Sequence, residues 1–165
     1  MLMVYNVVEG TMSNLLNEFF DTIVRKNVPI GILPNRLQNT IYTYYFKKIE
    51  NKPKKLKEIV AYDDIALCNI SYQEISRYLK LFTGNLDSRK IRDVSEKLGI
   101  DLPEQIDEPA LLWVKKSRNS LAHGETNFCD SCQNLTLDEI EDVCKKVKIY
   151  LENVIQEYEK FMSNI

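Results

Sequence analysis

Histidine is scarce in this chain of 165 residues, because His123 is the only one. A metal site that needs two histidines from a single chain is therefore excluded. Glycine and proline are also scarce, at five each, which argues against a many-turned β-sandwich and against linker-like composition. No polycationic tail exists, because 22 Lys and Arg stand against 24 Asp and Glu, for a net charge of −2. Any nucleic-acid binding must come from a local patch.

Targeting and membrane-spanning segments are absent as well. The first twenty residues are apolar but have no cationic start, carry Glu9 and lack a cleavage site of small residues, which argues against a signal peptide. No run of about 18 uncharged apolar residues occurs. These features predict a cytoplasmic protein with no membrane partner. In that reducing compartment the four cysteines are expected to be thiols: Cys68, Cys129, Cys132 and Cys144.

Apolar residues recur at steps of three and four along most of the chain, which predicts an all-α fold, a single helical bundle over residues 1–165. A first stripe from Leu2 to Ile23 is followed by breaks at Pro29, Gly31 and Pro34. Residues 54–67 fit a short helix and a loop. Further helices are expected at about 36–49, at 72–82 with Gly84 as a left-handed cap, from Asp87 or Ser88 to a stop at Gly99, and from about Asp107.

The last helix has the strongest start signal. Thr136 and Glu139 have the spacing of a capping box, in which each side chain bonds the other residue's backbone N–H. The apolar stripe that follows runs to the C-terminus through about eight turns, longer than a small core needs. Its far end is expected either to pack on a partner subunit or to cross its own bundle.

Unusual chemistry is concentrated around the lone histidine, between residues 113 and 125. Three cations precede it: Lys115, Lys116 and Arg118. Asn119 and His123 are four residues apart and share a helical face, so the Asn side chain is placed to orient the imidazole. Gly124 fits the position just past the end of a helix.

Two interpretations of Arg118 and His123 compete. In the structural one, His123 caps carbonyls at a helix C-terminus and Arg118 is a surface ion-pair partner. In the functional one, they form an acid/base site directed at phosphate, because His exchanges protons near neutral pH and Arg binds phosphoryl oxygens bidentately. RNA cleavage suits this pair, since the 2′-hydroxyl is itself the nucleophile and needs only deprotonation, charge stabilisation and a protonated leaving oxygen.

The segment Arg-Asn-Ser-Leu-Ala-His, residues 118–123, resembles the signature of HEPN-domain ribonucleases. Two further segments resemble the MAE-type branch of bacterial HEPN-like nucleases. Residues 82–92 (FTGNLDSRKIR) are similar to the stretch before the helix with the signature, and residues 4–11 (VYNVVEGT) to an early helix. The three follow the order of that branch. The resemblance implies an all-α bundle and a metal-independent endoribonuclease without a cofactor, often a toxin or anti-phage effector.

The same resemblance assigns expected roles. Arg118 stabilises phosphate charge, His123 transfers protons, and Asn119 orients the histidine or contacts phosphate. Because one chain offers one imidazole, a two-fold homodimer is expected to place two Arg–His pairs in one cleft, and the resemblance implies such a dimer. RNA and a cognate antitoxin or defence-system partner of unknown type are the other expected partners. Substrate binding is expected to involve Lys115, Lys116, Asn6 and Glu9.

The chain departs from known HEPN patterns in two places, at its N-terminus and directly after the histidine. The branch usually carries a further N-terminal helical segment, whereas this chain begins almost at the early helix, as expected of a short or truncated member. Gly124 and Glu125 follow the histidine, so the His-any-Tyr extension of the branch paired with nucleotidyltransferase antitoxins is absent.

Several alternatives stay open. The chain is either an enzyme, a non-catalytic HEPN-like module that dimerises or binds RNA or nucleotide, or a structural adaptor. Cys129 and Cys132 have zinc-knuckle spacing, with Cys144 and Cys68 as further ligands, or they are exposed loop thiols. Asn6 and Glu9 either hydrogen-bond each other or line the cleft near Arg118. Two basic clusters either follow an RNA backbone or are solvated faces: Lys54, Lys55 and Lys57, and Arg89, Lys90 and Arg92.

Overall fold

The computed structural model describes residues 2–50, 70–81, 85–103, 108–127, 129–130 and 135–165. Within these residues the chain folds into six α-helices and one 3₁₀ turn at Ile30–Ile32. The helices are α1 (Leu2–Arg25), α2 (Asn35–Glu50), α3 (Tyr72–Leu79), α4 (Ser88–Lys97), α5 (Glu108–Ala122) and α6 (Leu137–Asn164). The expected all-α bundle with a long C-terminal helix is confirmed. No helix in these ranges combines the length and hydropathy needed to cross a bilayer.

Helix α1 lies at the centre of the bundle and packs against α3, α5 and α6. Its predicted apolar stripe is the buried face, with Met12, Leu16 and Ile23 fully enclosed. Phe19 packs on Tyr158 and Phe161 of α6, with ring centroids 5.7 and 5.3 Å away. The stripe therefore joins the first and last helices of the described chain into one core.

The predicted break after α1 is confirmed. Pro29 precedes the 3₁₀ turn, and Leu33, in extended backbone, leads into α2. Helix α2 buries Leu37, Ile41 and Tyr44 as expected and packs against α3 and α4. Residues 54–67, for which a short helix and a loop were expected, lie outside the described residues, as does Asp107, the expected start of α5.

Helix α3 is shorter than its pattern predicts. The expected helix ran to Phe82, but α3 ends at Leu79, and Lys80 takes a left-handed conformation with φ of 49°. The Lys80 N–H still bonds the Ser76 carbonyl and closes the last turn. The chain leaves the helix here because Leu81 turns into the core, where it is buried. Gly84, the expected cap, lies outside the described residues.

Helix α4 begins and ends where the sequence predicts. The Asp87 carboxylate accepts a 2.9 Å hydrogen bond from the Lys90 N–H at the N-terminus. Gly99 follows the helix with φ of 81°, and the Ile100 N–H bonds the Ser95 carbonyl. A Cβ on Gly99 would lie 2.9 Å from Pro34 Cβ, so glycine is also needed for the close approach to the start of α2.

Helix α6 carries the predicted capping box, with both the Thr136 and the Glu139 bonds present. The far end of this helix packs on the chain's own bundle. Besides the contact of Phe161 with Phe19, Lys26 Nζ donates to the carbonyl oxygens of Met162 and Ile165. The first turn is the less covered part, where Leu137 is 79% exposed.

Candidate active site

Helix α5 presents the predicted site residues between α1 and the start of α4. Ala110, Leu111 and Val114 are buried on its inner face, which packs against α1, α4 and α6. One turn further along, Arg118 and Asn119 are half-buried at the edge of that face. Burial of the apolar face thus fixes the rotation of α5 about its axis, and this sets the direction in which the two polar side chains point.

The Arg118 guanidinium rests on an aromatic ring. Its Cζ lies 4.8 Å from the centre of the Tyr5 ring of α1, and its Nη1 donates a 2.9 Å hydrogen bond to Asn119 Oδ1. A guanidinium over the face of a tyrosine is attracted by the negative potential of the ring. The ring and the amide hold the group from two sides, and within the described part of the chain its other N–H donors make no further hydrogen bond.

Tyr5 is itself fixed by two hydrogen bonds. Its hydroxyl accepts from the Leu86 N–H at 3.0 Å and donates to Glu9 Oε1 at 3.0 Å. Burial raises the pKa of Tyr5, and the Glu9 hydrogen bond adds to this, against opposing effects of the Leu86 N–H and Arg118. The phenol is therefore neutral at physiological pH.

The Asn119 side chain makes hydrogen bonds to two polar side chains. Its Oδ1 accepts from Arg118, and its Nδ2 donates to Asn85 Oδ1 at 3.1 Å. The link to His123 is through the backbone, where the His123 N–H bonds the Asn119 carbonyl at 2.9 Å. The side chain of Asn119 thus contacts Arg118 in this structure, and its expected role, to orient the imidazole or to contact phosphate, stays a prediction.

His123 occupies the end of α5 in a Schellman motif. The Gly124 N–H bonds the Leu121 carbonyl at 3.3 Å, and the Glu125 N–H bonds the Ser120 carbonyl at 2.9 Å. Gly124 has φ of 70°, so its predicted position just past the helix is confirmed. The His123 side chain is exposed, one helical turn beyond Asn119.

The two lysines of the cationic run differ in environment. Lys115 Nζ lies 2.7 Å from Asp87 Oδ2, in a pair whose side chains are only 23% and 14% exposed. Burial of Asp87 acts to raise its pKa, but the hydrogen bonds from Lys115 and from the Lys90 N–H outweigh it, and the pKa is lowered. Lys116 is exposed. The charge of Lys115 is therefore largely balanced, whereas that of Lys116 faces solvent.

The other residues expected to bind RNA do not all lie beside Arg118. Glu9 is half-buried and reaches Arg118 indirectly, through the Tyr5 hydroxyl, whereas Asn6 is exposed on α1. Arg89 is exposed on α4. Its expected companions in the same cluster, Lys90 and Arg92, are half-buried, and the other cluster, Lys54, Lys55 and Lys57, lies outside the described residues.

The suggested zinc site has no support among the described residues. Cys129 and Cys144 are exposed thiols, and Cys132 and Cys68 belong to parts of the chain that are not described. Over the described ranges, no three His, Cys, Asp or Glu side chains are grouped so that they could hold a metal ion.

Three residues of this site were not identified from the sequence. Tyr5 falls within the apolar stripe from Leu2 to Ile23, Asn85 follows the expected cap Gly84, and Asp87 is an expected start of α4. A signal for each was present: Tyr5 and Glu9 are four apart in the segment 4–11, and Asn85 and Asp87 fall in the segment 82–92. Both segments were recognised by resemblance, and the structure brings both to the helix that carries the Arg–His signature.

A helical bundle with an Arg and a His at the end of one inner helix is the arrangement expected of the HEPN class. A family model described as MAE_28990-like HEPN matches residues 1–165. The chain therefore belongs to this HEPN family, a group of nuclease and RNA-binding modules. No curated protein and no solved structure matches the chain.

Proposed function

We propose that this protein is a metal-independent endoribonuclease that cleaves RNA by transesterification at an Arg118–His123 site. The observation that carries the proposal is the support of Arg118. Its guanidinium is held on the Tyr5 ring and by Asn119, and an exposed imidazole lies five residues further along at the same helix end. This combination suits a phosphate-directed reaction better than a surface ion pair.

The reaction needs three functions from these residues. His123 accepts the proton of the 2′-hydroxyl, whose oxygen attacks the adjacent phosphorus. Arg118 donates to the non-bridging oxygens and stabilises the charge of the phosphorane. The bond from phosphorus to the 5′-oxygen breaks, and this oxygen takes up a proton. The products are a 2′,3′-cyclic phosphate and a free 5′-hydroxyl.

A homodimer completes the proposed site. The 2′-hydroxyl and the 5′-oxygen lie on opposite sides of the phosphorus, and each chain has one imidazole. A two-fold arrangement of the α5 ends would supply one His123 as base and the other as acid. The exposure of His123 supports this, because the imidazole is accessible to a second copy. Lys116 is exposed and lies on the same face of α5 as His123, two turns earlier, so we assign it to the RNA backbone on that side.

Cleavage of RNA in the presence of EDTA tests the reaction. Wild-type protein is expected to produce 2′,3′-cyclic phosphate ends, and Arg118→Ala and His123→Ala are expected to abolish them. Arg25→Ala is the matched control. Arg25 is an exposed arginine that pairs with Glu18, and it lies at the C-terminal end of α1, away from Tyr5. No cleavage by wild type, or equal cleavage by the variants, would contradict the proposal.

Purified mixed dimers test the composite site. A dimer with one His123→Ala subunit is expected to lose most of its activity, because one of the two proton-transfer groups is missing. Near-full cleavage by such mixed dimers would show that each chain acts alone.

The cellular role we propose is that of a toxin or anti-phage effector, held in check by a cognate partner. The support is the family alone. Expression of the wild-type chain is expected to arrest growth, and Arg118→Ala or His123→Ala to relieve the arrest. Equal growth with wild type and variants would count against this role.

A second candidate is a non-catalytic module that binds RNA or nucleotide. One observation favours it: the Asn119 side chain is occupied by Arg118 and Asn85 and does not orient the imidazole. This module would bind RNA with an affinity that Arg118→Ala lowers, and would release no cleaved product. The EDTA assay, run beside a binding measurement, separates the two candidates.

A further inference from the structure

We propose that Tyr5 is a positioning residue for Arg118, and that its ring and its hydroxyl network hold the guanidinium in the orientation that binds phosphate. The inference rests on the proposed function only in naming the ligand as the RNA phosphate. Tyr5 touches no reacting atom in this proposal. It acts through Arg118.

Packing against Tyr5 restricts where the Arg118 guanidinium can lie. An arginine side chain has several rotatable bonds, so an unsupported guanidinium on a helix samples many orientations. Here the ring, 1% exposed and packed in the core, presents one face to Cζ at 4.8 Å. Asn119 Oδ1 then accepts from one specific nitrogen. Ring and amide together restrict both the position and the rotation of the guanidinium.

The hydrogen bonds of the Tyr5 hydroxyl add an electrostatic effect. Because the Leu86 N–H donates to its oxygen, the phenol proton is directed to the Glu9 carboxylate. Donation to an anion increases the electron density of the phenol and its ring, which strengthens the attraction for a cation above the ring. The Glu9 charge thus acts on Arg118 through Tyr5, and among the described residues no carboxylate forms an ion pair with Arg118.

The alternative is that Tyr5 is only a core residue. The same chain contains a matched control for this alternative. Tyr44 of α2 is also 1% exposed, has Lys48 Nζ 5.2 Å from its ring centroid, and accepts a 2.9 Å hydrogen bond from the same Lys48. Tyr44 and Tyr5 therefore share burial, a cation near the ring and a bonded hydroxyl, but Lys48 lies on the hydroxyl side of the Tyr44 ring and Tyr44 does not belong to the candidate site.

The experiment compares Tyr5→Phe, Tyr5→Leu, Tyr44→Phe and Tyr44→Leu. Steady-state RNA cleavage in EDTA gives kcat and KM, corrected for the folded fraction of each variant. The side-chain NMR signals of Arg118, assigned by their loss in Arg118→Lys, report its position independently of activity, because nuclei above a ring face are shifted upfield.

The wild-type Arg118 signals are expected to be shifted upfield, to remain so in Tyr5→Phe and the Tyr44 variants, and to lose the shift in Tyr5→Leu. The kcat of Tyr5→Leu is expected to fall by about threefold to thirtyfold, the range of a cation–π contact, with little change in KM. Tyr5→Phe is expected to lie between wild type and Tyr5→Leu, and both Tyr44 variants to keep the wild-type kcat.

Two results would overturn the inference: Arg118 signals that are unshifted in wild type or unchanged in Tyr5→Leu, or a kcat for Tyr5→Leu equal to that for Tyr44→Leu. If the wild-type protein cleaves no RNA, the proposed function fails, and the NMR comparison still decides whether Tyr5 positions Arg118. A lost shift in Tyr5→Leu then supports the positioning role, and an unchanged one removes it.

Discussion

Lys115 and Asp87 form a 2.7 Å ion pair that ties the helix of the candidate site to the start of α4. The other carboxylate oxygen of Asp87 accepts the Lys90 N–H and caps α4. Asn85 and Leu86 immediately before it bond Asn119 and Tyr5. The three consecutive residues 85–87 therefore connect α1, α4 and α5 beside Arg118, so the stability of this junction and the geometry of the site are linked.

Substitution of Asp87 is expected to separate its two roles. Asp87→Asn retains a good N-cap and loses the charge, which should cost about 1 kcal/mol of unfolding free energy. Asp87→Ala also loses the cap and should cost about 2 kcal/mol. Urea denaturation measures both. The control is Asp101→Asn, in a far more exposed pair with Arg36, where a loss of about 0.5 kcal/mol or less is expected. Equal losses at both sites would contradict the argument.

The ion pair of Asp87 with Lys115 also predicts how the unfolding free energy changes at low pH. The pKa of this carboxyl is lowered in the folded protein, so its contribution is fully present above the unfolded pKa of about 3.9. The contribution is lost as the pH falls through the folded pKa. The difference in unfolding free energy between wild type and Asp87→Asn is therefore expected to shrink below about pH 4. A difference that stays constant down to pH 2 would contradict this assignment.

The two glycines with positive φ are expected to respond differently to alanine. An added Cβ at Gly124 would meet open space. Gly124→Ala should therefore lose only about 1 kcal/mol of unfolding free energy, the cost of placing alanine in the left-handed conformation. Gly99→Ala incurs that cost and also places Cβ 2.9 Å from Pro34 Cβ, so it should destabilise more. Thermal unfolding of both variants tests the order. Gly124→Asn serves as a control, because asparagine tolerates this conformation, and it should be milder than Gly124→Ala.

The buried pair of Ser95 and Tyr158 predicts an asymmetric double-mutant cycle. The Ser95 hydroxyl donates to the Ile91 carbonyl, so the Tyr158 hydroxyl is the donor in their 3.0 Å contact. Ser95→Ala leaves a buried donor unpaired and should cost about 1–3 kcal/mol. Tyr158→Phe leaves Ser95 bonded and should cost about 1 kcal/mol. The double variant is expected to be no less stable than Ser95→Ala in urea unfolding, and a further additive loss would contradict this direction of donation.

Substitutions at Arg118 and Asn119 are expected to lower RNA cleavage by different amounts. Arg118→Lys keeps the charge but not the planar fork, so RNA cleavage should fall by at least about tenfold. Asn119→Ala removes one of the two supports of the guanidinium and should lower kcat more than Asn85→Ala, which leaves the Arg118 bond intact. Initial rates in EDTA measure all three. Equal effects of the two asparagine changes would argue that Asn119 does not act on Arg118.

Much of the fold was predictable because its signals are local. The apolar spacing of α1, the Asp87 cap, the glycine stops after α4 and α5, and the capping box of α6 each depend on residues within one or two turns. The pattern was wrong for the end of α3, where burial of Leu81 overrides a helical periodicity that continues in the sequence. It also left open the far end of α6, which the structure packs on α1.

The sequence by itself determined the helices, the helix that carries Arg118 and His123, and the presence of one imidazole per chain, since composition, spacing and local hydrogen bonds need no knowledge of distant residues. Only the tertiary structure decided what surrounds the arginine. Tyr5, Leu86 and Asn119 are far apart in the chain and meet through packing of α1 against α5. Such a meeting depends on helix rotation and on which faces are buried together, and no local pattern records these.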